Sequence, residues 1–164
     1  MCFKNNLKKV LLFSVTAVLL SSCQREKLFG SGVTTVEERS VAPFDQVVIE
    51  GPIVTNIQYG PVQHVSVRTD AVTQPRVRTF VQNNTLYLSL DESPNYQHIS
   101  FEVNVEVPVV HRLTHSGISQ VRLYGAQGPG TLEVVHDGVG ELELNGSAGH
   151  FILAHTGVGR VRAD

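Results

Sequence analysis

The chain has 164 residues, with 13 Lys+Arg against 15 Asp+Glu, 41% hydrophobic residues, no tryptophan and two cysteines. That length suits one globular domain, and two cysteines cannot build a disulfide framework. The acidic balance argues against nucleic acid as a partner, because such binding rests on cationic neutralisation of phosphates.

The first element is a leader. Lys4, Lys8 and Lys9 precede an apolar run from Val10 to Leu20 that is broken only by Ser14 and Thr16. A spanning helix needs roughly 20 apolar residues, so this run reads as the core of a secretory signal over residues 1–22. Leu20-Ser21-Ser22-Cys23 looks like a bacterial lipobox. That likeness implies diacylglycerol on the Cys23 sulfur, cleavage before it, and acylation (palmitate or a similar chain) of the new amino terminus. Each buried methylene is worth about 0.8 kcal/mol and one chain holds only marginally, so two or three chains anchor firmly. The expected mature chain of 142 residues has lost three lysines and Cys2, which leaves a net charge of −5 and Cys23 as its single cysteine. It is expected in a bacterial cell envelope, at the outer membrane on its periplasmic or surface face, with the membrane as a partner through the anchor.

Residues 23–35 read as a tether, charged at first and then glycine-rich at Gly30-Ser31-Gly32. From residue 36 to 164 the chain reads as one domain of short strands. Val47, Ile49 and Ile53 to Tyr59 are largely β-branched or aromatic, and Val65 and Val67 alternate with Ser66 and Arg68. Thr85 to Leu90 alternates throughout, as does Phe101 to Val107 before Pro108. Period-two alternation gives each strand one buried and one wet face. Asn83-Asn84, Gly60-Pro61 and Pro94-Asn95 supply turn chemistry.

The last third contains an internal repeat. Leu113 to Leu123, Val134 to Leu144 and Leu153 to Ala163 share one pattern of strand, small-residue turn and second strand. Their equivalent histidines, His115, His136 and His155, lie 21 and 19 residues apart. A period near 20 with this content predicts a β-solenoid, because one such unit cannot bury its own apolar face. Stacking would place Leu113, Val134 and Leu153 in one column, Val121, Leu142 and Val161 in a second, and Leu123, Leu144 and Ala163 in a third. Gly117, Gly138 and Gly157 would then meet at a corner, followed by Gly140 and Gly159 in two copies. An antiparallel β-sandwich is the alternative that the 47–107 part allows equally.

With that repeat the chain resembles the putative auto-transporter adhesin, head GIN domain family of bacterial envelope proteins. The resemblance rests on Phe44-Asp45-Gln46-Val47 with Ile49 and Gly51, and on Val54 to Gly60. It continues through Val65 to Asp70, Asn84 to Leu88, Val103 to Pro108 and the glycine turns of the repeat. It implies an all-β, right-handed, single-stranded β-helix-like domain on lipoproteins or secreted chains, and it supplies no catalytic residues. Two departures stand out. Histidine precedes the glycine turn in all three copies, and the sequence reaches Asp164 directly after the third.

The histidine column is the one repeated chemical group. It reads either as a metal or pH-sensitive site or as a like-on-like ladder, and the ladder is favoured because only Asp137 could add a ligand. No cofactor and no catalytic residue is expected. Glu102 with Glu106, and Glu141 with Glu143, have the spacing of a solvated strand face rather than of a catalytic pair. Among Tyr59, Tyr87, Tyr96 and Tyr124, Tyr96 in the polar stretch Asp91 to His98 is the best exposed candidate for sugar binding, whereas Tyr87 and Tyr124 belong to packed strands. The expected function is non-enzymatic: a lipid-anchored envelope protein whose wall binds an unknown envelope or surface ligand, as an adhesin does. The alternative is a spacer or assembly module with no ligand of its own. A bare final strand, Gly159 to Asp164, would also invite end-to-end pairing of two copies.

Overall fold

The computed structural model describes residues 27–91 and 95–164. The leader and Cys23 lie outside these residues. The described chain is all-β, with a 3-10 turn at Gln74–Arg76. Its strands are β1 (Lys27–Phe29), β2 (Thr34–Glu38), β3 (Gln46–Ile49), β4 (Ile53–Tyr59), β5 (His64–Asp70), β6 (Val77–Gln82), β7 (Thr85–Leu90) and β8 (Asn95–Gln97). They continue as β9 (Phe101–Val107), β10 (Arg112–His115), β11 (Ile118–Ala126), β12 (Thr131–His136), β13 (Val139–Gly146), β14 (His150–His155) and β15 (Val158–Ala163).

Two mixed sheets carry the domain. One runs β14-β12-β10-β3-β7-β6 and the other β15-β13-β11-β4-β9-β5-β2. Each repeat copy contributes one strand to each sheet, turning the corner between them at its glycine. Copies stack in parallel as tiers, with Leu113 beside Val134, Val134 beside Leu153, Val121 beside Leu142 and Leu142 beside Val161. β3 and β4 form a further tier directly against β10 and β11, with Ile49 paired to His115 and Thr55 to Val121. β7 and β9 flank the other side of that tier. The order in space therefore departs from the order in sequence, and the first tier made lies inside the stack.

Antiparallel pairing is confined to one end. β6 closes the first sheet on β7, while β5 and then β2 close the second on β9. Asn83 and Asn84, both with positive φ, make the tight β6–β7 turn that this pairing needs. The antiparallel arrangement that alternation alone leaves open applies to these edge strands and not to the repeat. Part of the segment read as a tether is fixed to the domain: β1 pairs with β8, and Asp70 accepts hydrogen bonds from Ser31 Oγ (2.9 Å) and the Gly32 amide (2.8 Å).

The core lies between the two sheets. Val47, Ile49, Ile57, Leu86, Leu88, Leu113, Leu123 and Leu142 are fully buried, each side chain contributing about 1.5–3 kcal/mol by leaving water. With no disulfide among the described residues, this burial and the ladders hold the fold. The outer face of the second sheet is wet and paired. Asn56 donates to Asn104 at 2.9 Å, Arg122 donates to Asn56 and Gln120, and Arg162 lies 3.4 Å from Glu141. Glu102 accepts from Asn56 and lies 3.4 Å from Arg68 on the same face.

Candidate functional site: the histidine corner and the outer walls

The corner is built from alternation and glycine. In β10, β12 and β14 the histidine follows two places after an inward leucine or valine, so all three imidazoles enter the same side as the core. The chain then turns through Ser116, Asp137 or Thr156 into Gly117, Gly138 or Gly157. None of these glycines has positive φ, so close packing is what requires them. A Cβ on Gly138 would overlap the carbonyl oxygen of Gly117, and one on Gly157 would overlap that of Gly138. Gly117 stands in the same relation to Gly51 of the β3–β4 tier. Positive φ appears two residues later instead, at Gly140 (+140°) and Gly159 (+148°).

Corners this close bring the rings into a stack. His115 and His136 have centroids 4.9 Å apart and planes within 3°, and His136 and His155 repeat the 4.9 Å spacing at 9°. His115 and His136 are fully buried, while His155 is exposed. The Nδ1 atoms of His115 and His136 lie 3.1 Å apart, which demands one N–H and one lone pair. His115 Nε2 is 3.2 Å from Ser119 Oγ. The position equivalent to Ser119 is Gly140 in the next tier, with no side chain, and His136 Nε2 accordingly has no partner. Burial, and then the neighbouring imidazole, push the His115 pKa down to about 4 and lower that of His136 as well. Asp137 pulls the other way for both.

The Ser119–His115–His136 chain has the connectivity of a nucleophile relay. Its imidazole, however, is fully buried and far too weakly basic at neutral pH for a general base, whose pKa should lie near the working pH. Among the described residues no group of three or more His, Cys, Asp or Glu is arranged to hold a metal ion.

Away from the corner, the outer face of the first sheet carries a continuous uncharged column. Phe80, Tyr87, Val48, Thr114, Val135 and Ala154 are paired strand to strand across all six strands. At strand spacing this column is about 24 Å long. Phe80 and Tyr87 stack at 5.1 Å and 11° at one end. Gln46 and the Arg112–Glu133 pair flank it. The sequence pattern assigns Tyr87 to packing and does not show this column, because its members are scattered between residues 48 and 154. Tyr96, expected to be exposed, instead packs edge-on against Phe101 at 5.1 Å and donates to the Asp91 carbonyl. Tyr59 is tied to the backbone of Val110 in both directions. Shallow clefts lie elsewhere on the described surface, two of them near the repeat. One, of about 250 Å³, is lined by Tyr59, Val109, His111, Gln127 and Pro129. The other, of about 210 Å³, lies between the sheets beside Leu123, Leu144 and Phe151.

Solved structures share this fold at low identity. A putative adhesin from Bacteroides fragilis aligns with a TM-score of 0.70 and 16% identity, over 82% of this chain and 63% of its own. A putative adhesin from Parabacteroides distasonis gives 0.65 and 19%, over 83% and 58%. A putative lipid binding protein from Parabacteroides distasonis gives 0.54 and 12%, over 83% and 63%. The chain thus spans about three fifths of the length of these neighbours. No curated protein matches it. A family model covers residues 43–164, the whole of the stacked region, and by that match the chain belongs to the family described as putative auto-transporter adhesin, head GIN domain.

Proposed function

We propose that the chain is a lipid-anchored protein of a bacterial envelope that binds a surface ligand through the outer wall of its six-stranded sheet. The observation that carries this reading is the uncharged column from Phe80 to Ala154, flanked by hydrogen-bonding side chains, opposite a wall already occupied by its own ion pairs. Aromatic and β-branched surface with a polar rim is what a binding patch needs. The adhesin descriptions of the family and of two structural neighbours favour the same class of function. Regular one-tier register from β3 to β14, with the right-handedness general to parallel crossovers, supports a short right-handed β-solenoid as the architecture. Enzymatic chemistry has no comparable support.

The anchor rests on the lipobox, and no described helix is long and apolar enough to cross a membrane. Replacing Cys23 with serine is expected to abolish incorporation of labelled fatty acid and to block cleavage before residue 23. A variant that is still labelled and normally processed would remove the anchor.

For the wall, lysines at Thr114 and Val135 should lower binding of the purified chain to cells or immobilised glycans at least about tenfold, because two charges would have to be desolvated in the patch. Circular dichroism should be unchanged, since both side chains point outward. Undiminished binding by the double variant would move the site elsewhere. Absence of parental binding to cells and glycans alike would favour the spacer reading.

A further inference from the structure

The histidine stack is confined to one half of the domain. In the same inward column, the tiers on the other side of His115 carry Ile49 and Leu88, both fully buried. That half is also closed by the antiparallel strands β2, β5 and β6. In the half that holds the histidines, nearly every residue of β14 and β15 is exposed.

We propose that the His115–His136–His155 stack is an acid-released latch that holds β12–β15 to the rest of the domain and lets them open while the β2–β9 part stays folded. The argument is one of proton sites. The facing Nδ1 atoms of His115 and His136 share a single proton, and a proton on each would set two N–H groups against one another. Ser119 can donate to or accept from His115 Nε2, so that site is satisfied in either tautomer. The remaining site, His136 Nε2, is buried and faces no acceptor. Any additional proton therefore makes a buried cation with no anion in contact.

The groups around the stack do not relieve this. Ser119 comes from β11, Gly140 and Gly159 occupy its place in β13 and β15, and β3 presents Ile49. Asp137 is the one acid that attracts the stack, and it lies exposed in the corner turn. His155, stacked 4.9 Å from His136, further disfavours a charge on His136.

The direction with pH follows. Both buried imidazoles titrate below their unfolded value near 6.5, so the closed state binds fewer protons than the open one. Closure is complete above about pH 6.5 and weakens as pH falls from there towards about 4, the value for His115. Each imidazole that takes up a proton on opening multiplies the opening constant by up to about ten per pH unit, so two give up to about a hundredfold.

Hydrogen exchange followed by mass spectrometry tests this on the full chain. At pH 7.5 and 5, after correction for intrinsic exchange, peptides from 131–163 should open at least about tenfold more at the lower pH, while those from 46–107 change little. A variant carrying H115I and H136I, patterned on Ile49, should lose that difference. H136Q, which keeps a polar planar group without titrating, should lose about half of it on a logarithmic scale. Two results would overturn the proposal: equal pH dependence in parent and variants, or opening of both halves together in the parent, which would make the effect global unfolding.

Discussion

Alanine at Gly138 is expected to cost about 3–5 kcal/mol, at the upper end of what single substitutions do. Its Cβ would overlap the carbonyl oxygen of Gly117, and backbone cannot turn aside as a flexible side chain could. The tier would have to lift at the corner. That movement weakens the Val139 amide bond to Gly117 (2.8 Å) and the Gly138 amide bond to His115 (3.1 Å). The stacking of His115 on His136 would loosen with it. Gly128→Ala is the control: nothing lies within 4 Å of its Cβ, and only the positive φ of +149° is strained, at about 1–2 kcal/mol. Urea unfolding with an unchanged slope measures both. A Gly138→Ala protein as stable as the control would show that the tiers are not in backbone contact at the corner.

Leu123→Ala is expected to lose about 3 kcal/mol, within the range for a fully buried leucine that leaves a cavity. Leu123 lies between Ile57 and Leu144 in the column, with ordered strands on both sides, so the gap has little freedom to collapse. Ile118, on the same strand, is 71% exposed, and Ile118→Ala should change stability by less than about 0.5 kcal/mol. A comparable loss at the two positions, read from denaturant midpoints, would contradict the assignment of inward and outward faces along β11.

Those faces are legible in the residue pattern itself. The repeat pairs Leu113 with Val134 and Leu153, and Leu123 with Leu144, and period-two alternation then fixes which side each residue occupies. The three histidines fall into one stack for the same reason. What the repeat cannot reveal is its own extension. Val47 to Ile57 forms a further tier against Leu113 to Leu123, but 66 positions separate Ile49 from His115, and isoleucine replaces the histidine. A period is visible only where copies are consecutive. Here the chain leaves after β4, builds β5 to β9 on one side, and returns to add β10 on the other. Alternation likewise cannot distinguish parallel from antiparallel partners, so β5 and β6 look the same as β9. The uncharged outer column stays hidden because register, not sequence proximity, assembles it.

The unequal ends of the sheets bear on how such a domain lengthens in evolution. On the β2 and β6 side the outermost strands run antiparallel to their neighbours, so a duplicated copy of the repeat would meet an edge of the wrong polarity. On the β14 and β15 side both edges run parallel to the tiers beneath, and a duplicate finds the same polarity and glycine-lined corner as its template. A duplicate placed among the parallel tiers of β10–β15 therefore keeps the polarity of its neighbours. Family members of different length should differ chiefly in the number of parallel tiers of the β10–β15 kind, while the β2–β9 part keeps a fixed size.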